Sequence, residues 1–174
     1  MDRIAHMTTT TEPAVLTVAG LVDTLARNVH VVGMQAEGLS HADSLLQPQP
    51  RGNCFNWVAG HILVFRQYML AALGQESLHD EDTLTHYKTD STPITADGEG
   101  VRPFANLLKA LGETQDRIAN VLATTSASTL AEPSPRTGDV TVAEDIFFLM
   151  WHETYHVGQT ELLRQLTGVN DKLL

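Results

Sequence analysis

Four stretches of the chain repeat apolar residues at intervals of three and four, the period at which side chains return to one face of an α-helix. The first stretch runs from about Ala14 to Leu46, with Val18, Val22, Leu25, Val29, Val32, Ala36 and Leu39 on one stripe. Gly20, Gly33 and Gly38 each weaken a helix by up to about 1 kcal/mol, so a bend or break belongs there. The run Gln47-Pro48-Gln49-Pro50-Arg51-Gly52 ends it, because proline has no amide to donate and glycine relaxes the turn. The second stretch spans Asn53, a good N-cap, to Gly74, a natural stop. Its stripe is Trp57, His61, Val64, Tyr68 and Ala71, and its flank, Phe55, Val58, Ile62, Phe65, Met69 and Leu73, is apolar too. A helix with almost no polar face must be buried from two sides. A second copy of the chain is the expected cover, in a homodimer to which the second helix or its bundle neighbour contributes, since closed two-fold dimers are the commonest way to hide such a patch.

The third stretch, 101–125, turns Phe104, Leu108, Leu111, Ile118 and Leu122 inward. The fourth begins at Thr141-Val142-Ala143-Glu144, a capping box in which threonine and glutamate each serve one orphan amide, and continues to about Thr167, where Gly168 stops it. Between the second and third lies the polar connection 75–100. Its length marks it as a lid or as the cover of a short helix. No strand series, internal repeat or low-complexity tract interrupts the pattern, so the fold class is all-α, a single domain over 12–174 preceded by a flexible tail, 1–11. His6-Met7 reads as a possible junction ahead of a start at Met7.

Composition narrows the function. With 43% hydrophobic and 18% charged residues the chain is globular. A net charge of −10 and a pI near 5.1 argue against nucleic acid and anionic lipid as partners. No run reaches the length of a membrane span, and the N-terminus lacks the apolar core of a signal peptide. The single cysteine, Cys54, fits a reducing cytoplasm and reads as a small packing residue.

The chemistry lies in the histidines. On the fourth helix the inward stripe reads Asp145, Leu149, His152, His156, Gln159, Leu163 and Leu166. Residues four apart differ by roughly 40° and about 6 Å along a helix, so His152 and His156 can reach one ion. His61 holds the matching seam position on the second helix. One histidine on an apolar face is usually a satisfied core residue; two at i,i+4 with a third on another seam point to a metal site of three imidazoles and an open position. His152-Glu153-Thr154-Tyr155-His156 also fits H-E-x-x-H, but only Glu161 and Asp171 follow as acids and no histidine does, which disfavours a zinc peptidase. Glu153 reads either as a general base in the outer shell of the ion or as an ordinary surface carboxylate. Trp57, Trp151 and Tyr155 are core residues, or pocket walls at best. His6, His30, His41, His79 and His86 carry no expectation beyond packing or solvent.

The segments Asn56-Trp57-Val58-Ala59-Gly60-His61-Ile62-Leu63 and His152-Glu153-Thr154-Tyr155-His156-Val157-Gly158-Gln159 resemble the DinB-like (DinB/YfiT) metal-binding superfamily, in this order and over nearly the whole chain. The resemblance implies a four-helix bundle with a long crossover connection, usually a homodimer. It also implies a divalent ion, nickel or zinc, held by His61, His152 and His156. Relatives include S-transferases that use a low-molecular-weight thiol, and metal-dependent hydrolases or isomerases acting on small molecules. The competing reading is a non-catalytic metal-binding or stress-response protein.

Overall fold

The structure is a computed structural model that describes residues 17–80 and 82–169. The expected tail 1–11, the expected helix start near Ala14 and the outer domain limits at 12 and 174 lie outside the described residues. Among the described residues six α-helices follow one another: α1 (Val18–Ala36), α2 (His41–Ser44), α3 (Phe55–Ala72), α4 (Phe104–Thr124), α5 (Ala127–Leu130) and α6 (Val142–Gln165), with one 3-10 turn, Asp82–Tyr87. The four long helices form an all-α bundle. α6 and α4 each pack against both α1 and α3, so the sequence neighbours α1 and α3 stand across a diagonal, as do α4 and α6. Among the described residues there is no strand, only an isolated bridge between Pro133 and Thr141.

Local chemistry sets the ends of the helices. The expected first helix is broken: α1 stops at Ala36, Gly38 takes φ +76°, and α2 starts anew under a capping box of Ser40 and Asp43. α3 begins one residue later than expected, with Cys54 and not Asn53 at the N-cap and no side chain capping it. It ends as expected at Gly74 (φ +67°), where the Gln75 amide returns to the Leu70 carbonyl at 2.8 Å. The Thr141–Glu144 capping box opens α6. α4 has Pro103 at its N-cap and no cap from its own chain neighbours; His41 Nδ1 instead accepts from the Phe104 amide at 3.2 Å, while His41 Nε2 lies 3.2 Å from Asp97.

The apolar flank of α3 is not a surface. Phe55, Val58 and Ile62 are 1% exposed and Met69 is fully buried. The cover comes from the same chain: for Phe55, Val58 and Ile62, α4 supplies Phe104 and Leu107 and the long connection supplies Leu84, Tyr87 and Ile94, while Met69 lies in the other half of the core with Ile118 and Ile146. This corrects the expectation that α3 needs a second copy to hide it. The crossover itself buries the face that α6 leaves uncovered. Exposed apolar side chains collect elsewhere: among the described residues, six of the nine large ones lie on α6 or its C-cap, namely Phe147, Phe148, Trp151, Tyr155, Leu162 and Leu166. Trp151, Tyr155 and Leu166 thus face outward, not into the core.

Candidate metal centre

His61 stands in the middle of α3, and His152 and His156 stand one turn apart on α6. The packing of these two helices places one donor atom from each ring within 4.8 Å of the others. The rings are wedged among aromatics. Trp57 stacks on His61 with centroids 4.4 Å apart, and Phe65 stacks on His152 at 3.7 Å. Each hydrogen bond that fixes a ring also fixes its tautomer. His61 Nδ1 donates to the Tyr87 carbonyl at 2.7 Å, and His156 Nδ1 donates to Gln159 Oε1 at 2.9 Å. Both leave a bare Nε2.

Burial keeps the rings neutral. It pushes His61 and His152 down to about 4; for His152 the neighbouring His156 and His61 add to the effect. Burial also lowers His156, against the opposing hydrogen bond that its Nδ1 donates to Gln159. Neutral imidazoles are what a divalent ion requires near pH 7.

The donor set fits such an ion. His152 Nε2 and His156 Nε2 are 3.3 Å apart. Two nitrogens each about 2.0–2.1 Å from one zinc-like ion, at a near-tetrahedral angle, are separated by about that distance. Among the described residues no further histidine, cysteine or carboxylate joins the group. Three protein donors leave a coordination position free, the arrangement of reactive sites. Beside His156 lies a cleft of about 360 Å³, within the range of small-molecule sites. Trp57, Tyr155, Leu162 and Leu163 make its apolar walls, and Gln159 and Asn53 supply amides.

Glu153 is somewhere else. Its carboxylate is fully buried between the helices, where Arg66 Nε donates to Oε2 at 2.9 Å and Nη2 to Oε1 at 2.7 Å. Arg66, also 0% exposed, donates further from Nη1 to Gln115 Oε1 and from Nη2 to the Leu25 carbonyl, both at 3.1 Å. With both oxygens held by a buried guanidinium, Glu153 is not an ordinary surface carboxylate. It is half of a clamp joining α3 and α6, the two helices that carry the imidazoles.

Three positions were not singled out from the sequence as parts of the site. Tyr87 belongs to the connection from which no site residue was expected, yet its carbonyl orients His61. Its hydroxyl donates to Asn56 at 2.9 Å and accepts from the Arg102 amide at 2.7 Å. Gly60 allows this approach, since a Cβ there would overlap the Tyr87 ring. Arg66 carried a signal of its own: a cation on a helix without a polar face has to be paired inside. The other described histidines stay out of the group. His30 and His86 are exposed and His79 is partly buried.

The DinB superfamily matches this chain over residues 24–160. The chain is also similar to the solved structure of a conserved protein from Enterococcus faecalis, with a TM-score of 0.68 at 16% identity, covering 90% of this chain and 100% of that one. That likeness speaks for the fold alone. No curated protein matches.

Proposed function

The chain belongs to the DinB superfamily, and from that premise we propose that it is a metal-dependent enzyme acting on a small molecule, of the thiol-dependent S-transferase or hydrolase type. The observation that carries this reading is the convergence of His61, His152 and His156 beside the cleft, with no fourth protein ligand in the group among the described residues. A closed structural centre usually engages four protein ligands. A non-catalytic metal store gains nothing from an apolar cleft opening at the donors.

A divalent ion, nickel or zinc, would supply Lewis-acid polarisation and bring a water or a thiol to reactivity at neutral pH. The chain's own residues do the rest. Tyr87 and Gln159 hold the rings of His61 and His156 through Nδ1, so that each Nε2 faces the same point. Trp57, Tyr155 and Leu162 seat the apolar part of a substrate, and Gln159 and Asn53 offer amides to its polar part. Among the described residues the cleft has no cationic wall, so an anionic group on the substrate finds no partner among them except the ion. Glu153 serves the site by holding α6 to α3, not as the general base.

Among the described residues no helix is long and apolar enough to cross a membrane; we place the protein in the cytoplasm, as a homodimer.

The test is a metal determination on purified protein, followed by a panel of electrophiles assayed with several low-molecular-weight thiols and with water alone. Turnover that needs both the ion and a thiol supports the transferase form, and turnover with water the hydrolase form. A loaded protein that is inert to a broad panel favours the non-catalytic reading.

A further inference from the structure

The outer face of α6 is inverted. Phe147, Phe148, Trp151, Tyr155, Leu162 and Leu166 are 44–65% exposed, and all lie within about a third of the helix circumference. No charged side chain interrupts them. Gly158 lies in their middle, and a Cβ there would meet nothing. The order is symmetric about the 158–159 midpoint: Tyr155 mirrors Leu162, and Trp151 mirrors Leu166. When two identical helices cross antiparallel on a twofold axis, residues equidistant from the axis meet, and each contact occurs twice. Here that operation sets aromatic side chains against leucines, with a side-chain-free position at the crossing. Six half-exposed side chains offer on the order of 600 Å² per copy. Two copies then bury on the order of 1,200 Å², which reaches the lower edge of a stable interface. Two chains of net charge −10 can approach most easily through a face without charges.

Two residues of this face, Tyr155 and Leu162, are also walls of the cleft beside His156. We infer that a second copy of this chain packs on α6 about a twofold axis near Gly158 and closes the outer side of that cleft, so that the binding site is complete only in the dimer. Tyr155 of each copy covers Leu162 of the other, and the two clefts flank the axis. All three imidazoles come from one chain, so metal binding does not require the partner while the enclosed cleft does. The inference rests on the proposed function only in taking the cleft as the substrate site.

The test uses the full chain. Gly158→Cys, whose side chain enters open space at the axis, is oxidised and run without reductant beside Gly112→Cys, an equally open position on α4. Gly158→Cys is expected to give a covalent species of twice 19.0 kDa and Gly112→Cys to stay single. No coupling at Gly158, or equal coupling at both positions, overturns the placement. Hydroxyl-radical labelling then compares the parent with Leu166→Glu, which puts a charge on the face but away from the cleft. Tyr155 and Leu162 are expected to be protected in a dimeric parent and labelled in a monomeric Leu166→Glu, with metal content equal in both. A parent that sediments as a monomer, through its α6 face serving a lipid or a different protein, overturns the inference. A dimer in which Tyr155 and Leu162 label as freely as in Leu166→Glu does so too. Metal absent from every form would sink the metal assignment alone, because crosslinking and protection would still support the closed cleft.

Discussion

α3 and α6 perform the same task, presenting imidazoles to a common point, with opposite distributions of polarity. On α3 every residue from Phe55 to Val64 is buried, and the one cation, Arg66, is buried with them. On α6 the buried set includes Asp145, Glu153, His156, Thr160 and Arg164, while four aromatic side chains and Leu162 face outward. Apolar residues going inside is a one-way rule, and the informative cases are buried polar groups and exposed apolar stripes. Here the two departures share one helix. Among the polar groups inside α6, His156 belongs to the site and Glu153 to its clamp, Asp145 and Arg164 tie the helix to neighbouring segments, and the apolar groups outside mark where the chain still has surface to cover. α3 has none left, because the crossover covers it.

The sharpest way to break this comparison is to empty the inside of α6. Glu153→Ala leaves Arg66 as an unpaired charge in the core, and is expected to cost about 3–5 kcal/mol in urea unfolding. A loss below about 1 kcal/mol would mean that the pair is solvated and that α6 has an ordinary polar face. Next in size is Gly60→Ala, which drives a methyl group into the Tyr87 ring and lifts the crossover from α3. Overpacking of this kind costs about 1–3 kcal/mol. Losing the carbonyl that orients His61 is expected to weaken metal affinity by about 10–100-fold in a competition titration with a chromophoric chelator.

Acid sharpens the comparison further. In metal-free protein the folded-state values of His61, His152 and His156 are depressed by burial, the first two to about 4. Above pH 6.5 these rings are neutral in both states and add no pH dependence. Below it the unfolded chain takes up protons that the folded chain refuses, so stability falls as pH drops from 6.5 toward 4. Urea midpoints across that window should fall less steeply for His152→Gln than for the parent. Equal slopes would show that the ring ionises as freely in the bundle as in the unfolded chain. The smallest effect belongs outside α6: Trp151→Gln at a half-exposed position is expected to change the unfolding free energy of the monomeric chain by no more than about 0.5 kcal/mol.

The legible parts of the molecule are those written in local spacing. The i,i+4 histidines, the Thr141–Glu144 box and the glycine stops at Gly38, Gly74 and Gly168 depend on neighbours within one or two turns, and a single sequence shows them. His61 is legible from its seam position on the second helix, and the family resemblance implies the same residue. The illegible parts depend on distant partners. Glu153 differs from a surface glutamate only because Arg66 sits opposite it, 87 positions away in the chain. Tyr87 acts through its backbone carbonyl, which carries no mark of residue type. The apolar flank of α3 and the apolar stripe of α6 look alike as sequence; the crossover, which covers one and not the other, decides which becomes core and which becomes surface.

The central claim is that helices α3 and α6 together hold one ion. The direct measurement is the metal content of the parent and of His61→Ala after incubation with nickel or zinc and desalting, with far-ultraviolet circular dichroism recorded on the same samples. One equivalent per chain in the parent, lost in His61→Ala with helicity kept, is the expected result. A His61→Ala protein that retains the parent's metal content would contradict the claim.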